Sequence, residues 1–211
     1  SYTLMTFLTS ILLGLSMGSG VAVSIAFGQK DWDRLKRGVF LSFSGIGLAA
    51  VGLSGLAFLG IDGIMRLLQV PEEICELMRR YLLVIFMGIG GTFLYNYLAC
   101  LLRAIGNSVT PLIFLGISAV LNVVLDLLFV LSAGWGVAGA AFATVIAQWL
   151  SGIGLLLYTV RKAPELLPGR CHMKWNREEA AGIFRLSMIT SVQQSIMNFG
   201  ILMVQGRVNS F

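Results

Sequence analysis

Asp126 is the one acidic side chain set within a long apolar run of this sequence. Ser118, Asn122 and Asp126 recur every four residues, so on a helix they form a single stripe. A charged group at the centre of a membrane helix costs about 2.5–3.5 kcal/mol on insertion scales. Facing lipid, a carboxylate would bear that cost for nothing; facing a water-filled cavity, it can exchange protons or bind a cation. The competing reading is that Asp126 caps its helix or forms an ion pair near the outer membrane edge.

Other apolar runs carry comparable stripes: Thr92, Asn96 and Cys100, with Tyr95 alongside; Thr144, Gln148 and Ser151; Ser191, Gln194, Ser195 and Asn198. Taken singly, a neutral polar side chain is explained by hydrogen bonding between helices. Taken together, one stripe per run points to a shared polar interior, with Gln148 among its lining residues.

Enzymatic chemistry finds little support. Gly14-Leu15-Ser16-Met17-Gly18 fits GxSxG, and Gly134-Trp135-Gly136-Val137-Ala138-Gly139 fits GxGxxG, but neither follows a strand, as both motifs require. His172 is the sole histidine, beside Cys171 in a polar segment, with too few partners for a metal. Cys75, Cys100 and Cys171 are far apart and odd in number, so they give neither a disulfide framework nor a metal spacing. The expectation is a protein that is not an enzyme, holds no cofactor and binds no metal other than a coupling Na⁺. An integral membrane enzyme is the alternative from another class.

The elements that position these residues follow from composition. The chain has 211 residues, 57% hydrophobic and 12% charged, with a mean hydropathy of +0.86. Soluble domains carry about a quarter charged residues, so the bilayer must act as solvent for much of this surface. About 20 helical residues cross a hydrocarbon core of about 30 Å. Apolar stretches at 1–29, 38–61, 81–102, 104–125, 127–160 and 186–206 predict an all-α membrane protein, a polytopic bundle of six transmembrane helices. The fourth helix must run through Asp126 to about Leu131, which leaves 132–139, with three glycines, as the turn. Barrel strands are excluded by the absence of alternating polarity. Gly14 and Gly18 are spaced as GxxxG, and Gly45, Gly47, Gly52 and Gly55 crowd the second run, which predicts close helix packing.

The net charge of +5 does not describe a nucleic-acid face, because the cations sit in short loops between apolar runs. With the first loop inside, cytoplasmic segments hold Lys30, Arg34, Lys36, Arg37, Arg103, Arg161, Lys162, Arg170, Lys174, Arg177 and Arg185. The outer loops hold Arg66, Arg79 and Arg80, offset by Asp62, Glu72, Glu73 and Glu76. The positive-inside rule then fixes the orientation. Ser1 falls outside, with no leader and no initiating Met, so an upstream span is expected and the chain reads as a fragment. The 163–185 segment, with Pro164, Pro168 and Gly169, is the expected connector between two bundles.

Several ordered motifs resemble those of the multidrug and toxin extrusion (MATE) family. Residues 102–111, Leu-Arg-Ala-Ile-Gly-Asn-Ser-Val-Thr-Pro, resemble its signature between two spans. Leu-Asn-Val-Val-Leu-Asp at 121–126 follows at the family's distance, then Gly-Val-Ala-Gly-Ala-Ala-Phe-Ala-Thr at 136–144. Phe-Gly-Gln-Lys-Asp at 27–31, continuing to Arg37, resembles the first cytoplasmic loop. The signature loop also makes physical sense: Arg103 suits a helix C-terminus, Gly106-Asn107 a turn, Ser108 or Thr110 a cap, and Pro111 a first helical turn.

The resemblance implies the second to seventh helices of a twelve-helix, two-lobe secondary antiporter, driven by Na⁺ or H⁺. Residues 1–162 would belong to the N-terminal lobe, 163–185 to the inter-lobe connector, and 186–211 to the first helix of the C-terminal lobe. It further implies cation or proton coupling at Asp126, Asn122, Thr144 and Asn96, with Tyr81 as a cavity residue. The implied partners are small-molecule substrates, often organic cations, the lipid bilayer and the second lobe of the same chain. The implied location is the cell membrane, or the inner membrane of a Gram-negative cell. A lipid-linked precursor flippase of the same superfamily is the alternative. Two departures stand out: the family's acidic residue on the first span has no counterpart, and Leu186-Ser187-Met188 replaces the usual Gly-Leu-Pro.

Overall fold

A computed structural model describes residues 2–59, 72–132, 134–169 and 176–208. Among them are six α-helices and no strand. In chain order the helices are α1 (Tyr2–Gly28), α2 (Trp32–Leu59), α3 (Glu72–Ala104), α4 (Val109–Asp126), α5 (Gly136–Lys162) and α6 (Arg177–Val208). A π-helical turn, Leu127–Ser132, continues α4, and a 3₁₀ turn, Pro164–Leu166, follows α5.

Among the described residues, four stretches are long and apolar enough to cross a membrane: Thr9–Gly28, Trp32–Leu56, Val109–Val130 and Ala138–Lys162. Helices α3 and α6, of 33 and 32 residues, also have the length, but they begin in charged turns. The last helix starts at Arg177, earlier than its apolar run predicts, because Asn176 organises its first turn. Asn176 Oδ1 accepts from the Glu178 amide at 3.0 Å. Glu178 and Glu179 then sit where the helix dipole favours acids. With Met188 in place of the proline expected there, α6 runs on without a break.

The α1–α2 and α3–α4 loops share one construction. At the end of α1, the Asp31 amide donates to Ala26 O (3.1 Å) and the Lys30 amide to Phe27 O (3.0 Å). At the end of α3, Asn107 donates to Leu102 O (2.9 Å) and Gly106 to Arg103 O (3.0 Å). Each pair is a Schellman closure, with Lys30 (φ 57°) and Gly106 (φ 88°) in the left-handed region that it requires. The residue that closes one helix then caps the next: Asp31 Oδ1 accepts from the Arg34 amide (2.9 Å), and Asn107 Oδ1 from the Thr110 amide (3.2 Å). Asn107 therefore does what was expected of Ser108 or Thr110. Ser108 has helical backbone angles and makes no side-chain cap.

Helix α3 carries much of the core, with Phe86, Ile89, Phe93, Tyr97, Leu98 and Leu102 buried against α1, α2 and α5. The fully buried Tyr97 hydroxyl is satisfied by Ser42 Oγ (2.7 Å) and Val39 O (2.9 Å). In α4, only Pro111 is buried, and Leu112, Ile117, Val120 and Val123 are exposed. Such a face suits acyl chains as neighbours.

Candidate ion-coupling seam

The polar stripe of α4 faces α5. Ser151 Oγ donates to Phe114 O (3.3 Å), Ser118 Oγ to Ala147 O (3.1 Å), and Asn122 Nδ2 to Thr144 Oγ1 (3.3 Å). Thr144 Oγ1 in turn donates to Ala140 O at 3.0 Å. The two stripes read from the sequence thus form one antiparallel zipper, with a contact on each successive turn. One turn further, the register brings Asp126 level with the start of α5. There Asp126 Oδ1 is buried, with no hydrogen-bond partner among the described residues.

The α-helix ends at Asp126, and the chain continues as the π turn. A π turn inside a helix spoils the regular backbone pairing and often marks a functional position. Trp135 closes this end: its amide donates to Phe129 O (3.0 Å), and its ring stacks on Phe129 at 5.3 Å, inclined by 14°. Phe142 adds an edge contact at 6.1 Å. Because the π turn occupies 127–132, the turn into α5 is shorter than the predicted 132–139, and the helix has begun by Gly136.

A second polar contact joins α3 to α5. Thr92 Oγ1 lies 2.8 Å from the Gln148 amide and 3.0 Å from Gly88 O. A hydroxyl has one proton, so it serves either Gly88 O or Gln148 Oε1, the carbonyl oxygen of the Gln148 side chain that faces it. Thr144 and Gln148 are one turn apart on α5, which makes that helix the common wall of both contacts. Asn96 stands apart from this pairing. Its Nδ2 donates to Thr92 O at 2.8 Å, within its own helix. Parallel pairing of α3 with α5 sets Asn96 roughly 20 Å along the bundle from the level of Asp126. Tyr81 lies on α3, and its side chain is outside those described, as are Cys171 and His172.

Among the described residues, no three His, Cys, Asp or Glu side chains converge on a metal position. What the seam offers is one carboxylate backed by amide, hydroxyl and carbonyl oxygens. That donor set suits a proton or a hard monovalent cation and not a soft metal. The π turn and the Phe129–Trp135 stack escaped the sequence reading. No periodicity announces a π turn, and the aromatic pair lies across a glycine turn.

The fold matches solved MATE transporters. It superposes on the outward-facing conformation of a multidrug resistance MATE family transporter of the MOP superfamily with a TM-score of 0.87. The identity is 21%, covering 95% of this chain and 45% of that one. The inward-facing conformation gives 0.83 at 23% identity, over 92% and 45%. At these identities the likeness is one of fold. Residues 1–128 match the MatE family model, and the chain belongs to that family. It is 30% identical over 217 residues to the probable multidrug resistance protein YpnP of Bacillus subtilis (strain 168). That alignment covers all of this chain and 47% of YpnP. The chain spans about half the length of the curated relatives it matches.

Proposed function

We propose that the chain forms one part of a secondary antiporter that exports drug-like, often cationic organic compounds across the cell membrane in exchange for Na⁺ or H⁺. Membership of the MatE family and the likeness to YpnP support transport of this kind, without enzymatic chemistry. The observation that carries the ion-coupling role is the unpartnered, buried Asp126 Oδ1 at the α-to-π junction. Burying a carboxylate oxygen without a partner is costly. Occupation by a proton or cation relieves that cost, so the seam has different free energies when loaded and empty. A ligand shifts a conformational equilibrium only through such a difference.

In this reading, loading at Asp126 and Asn122 repacks α4 on α5 and changes the cavity offered to substrate. Thr144 holds Asn122 in place, and Gln148 and Thr92 continue the polar wall. Asn96 and Tyr81 contribute as more distant cavity residues. A lipid-linked precursor flippase would need cations along this wall, whereas its described members are neutral or acidic.

Asp126→Asn in the full-length protein keeps the side-chain shape and removes the charge. In proteoliposomes, efflux of a cationic dye driven by an imposed Na⁺ or H⁺ gradient should fall at least tenfold, with the melting temperature little changed. Wild-type efflux in that variant under both gradients would remove Asp126 from the mechanism.

A further inference from the structure

The cytoplasmic ends of α2 and α6 are joined by a fork. Arg37 Nε donates to Glu179 Oε2 at 3.1 Å, and Arg37 Nη2 donates to Glu179 Oε1 at 3.0 Å. The partners are 142 positions apart, so this is a tertiary contact. Their side chains are 32% and 22% exposed, neither dry nor freely solvated. The pair borders a cavity of about 500 Å³, walled by Ala22 and Ile25 of α1, Arg34 of α2, and Gly182, Ile183 and Leu186 of α6.

Deeper in the bilayer, α6 meets α1 along a line of a different kind. A Cβ placed on Gly18 would come within 2.4 Å of Ser187 Cα, and one on Gly14 within 2.3 Å of Ser191 Cα. Thr190 Oγ1 reaches Gly14 O at 2.6 Å, and Asn198 Nδ2 bonds Ser10 Oγ. Here backbone lies against backbone, with short side chains and no charge. Two helices in such contact can tilt about a point of close approach such as Gly18–Ser187 without dragging long side chains through one another.

We propose that Arg37 and Glu179 form a clasp that closes the cytoplasmic side of the transporter, with the Gly18–Ser187 contact as the pivot. This rests on the antiporter reading proposed above. Glu179 lies eight positions from Ser187, hence about 12 Å from the pivot along α6. A tilt of about 15°, the size of known interface rotations, moves a point at that distance by about 3 Å. That displacement breaks a pair held at 3.0 Å and leaves the Gly18–Ser187 contact, at the axis of the tilt, in place. The contact is also weak enough to open repeatedly, since a part-exposed ion pair is worth at most about a fivefold bias. Such a clasp sets the register on closing and is released in every cycle. Arg37 and Glu179 are thus positioning residues.

The test uses the full-length protein with its cysteines replaced by serine and Ala22→Cys introduced beneath the clasp. Inside-out vesicles are treated with a membrane-impermeant maleimide. Arg37→Glu and Glu179→Arg should each raise the labelling rate about threefold to fivefold, and the double exchange should return it to within twofold of the parent. The milder Glu179→Gln serves if either reversal fails to fold, and it should raise the rate in the same direction. Unchanged labelling in the single variants, or no recovery in the exchange, overturns the clasp. Labelling reports opening and does not depend on ion or substrate, so its outcome is separable from that of Asp126→Asn.

Discussion

Asn122 of α4 donates its amide to the Thr144 hydroxyl of α5 at 3.3 Å, and Thr144 in turn donates to Ala140 O of its own helix. The direction of the chain matters. Thr144 keeps a partner when Asn122 is removed, whereas Asp126, one turn away, loses its nearest polar neighbour on the stripe. Asn122→Ala should therefore cost little stability, roughly 0.6 kcal/mol, the average for such bonds between membrane helices. Ion-driven efflux should fall severalfold. Melting of the purified full-length protein and dye efflux in proteoliposomes check the two halves. A loss above about 3 kcal/mol, a size reserved for core cavities or broken buried networks, would mean that the contact is architectural.

Asn107 and Ser108 offer a second contrast, because adjacent polar residues have different jobs. Asn107 Oδ1 accepts the Thr110 amide at 3.2 Å, and Ser108 makes no cap. Asn107→Ala should destabilise the protein by about 1 kcal/mol, the usual value of a lost cap. Ser108→Ala should stay within about 0.5 kcal/mol of the parent, as a surface change does. Equal losses in the two variants, measured by thermal melting in one detergent, would contradict the cap placed on Asn107.

The sequence made some of this plain and hid the rest for definable reasons. Period-four stripes survive folding, because residues four apart must share a helix face; Ser118/Asn122 and Thr144/Gln148/Ser151 therefore revealed the α4–α5 wall. Gly14 and Gly18 announced a close approach but not its partner, since any small-residue helix would fit; Ser187 and Ser191 of α6 emerge only in three dimensions. The Arg37–Glu179 fork has no local signature, because its halves lie near the starts of two helices, 142 positions apart. Asn96 was placed with Asp126 by resemblance, and the geometry sets it at another depth, bonded within α3. The start of α6 was obscured by its charged first turns, where an apolar run is a poor guide to a helix.

The α1–α6 contact makes the sharpest structural prediction. A Cβ at Gly14 or Gly18 would lie within 2.4 Å of a backbone carbon of α6, and backbone cannot move aside as the end of a flexible side chain can. Gly28, at the end of the same helix, has nothing within 4 Å of its would-be Cβ. Gly14→Ala and Gly18→Ala should each push α6 outward, break the Thr190–Gly14 bond and cost about 1–3 kcal/mol, as overpacking does. Gly28→Ala should be neutral, or stabilising by up to about 1 kcal/mol through the unfolded chain. Thermal melting of the three purified variants ranks them, and limited proteolysis after Lys162 reports whether α6 has come away. If Gly28→Ala proved the most damaging of the three, the close packing of α1 on α6 would be wrong, and with it the pivot on which the clasp turns.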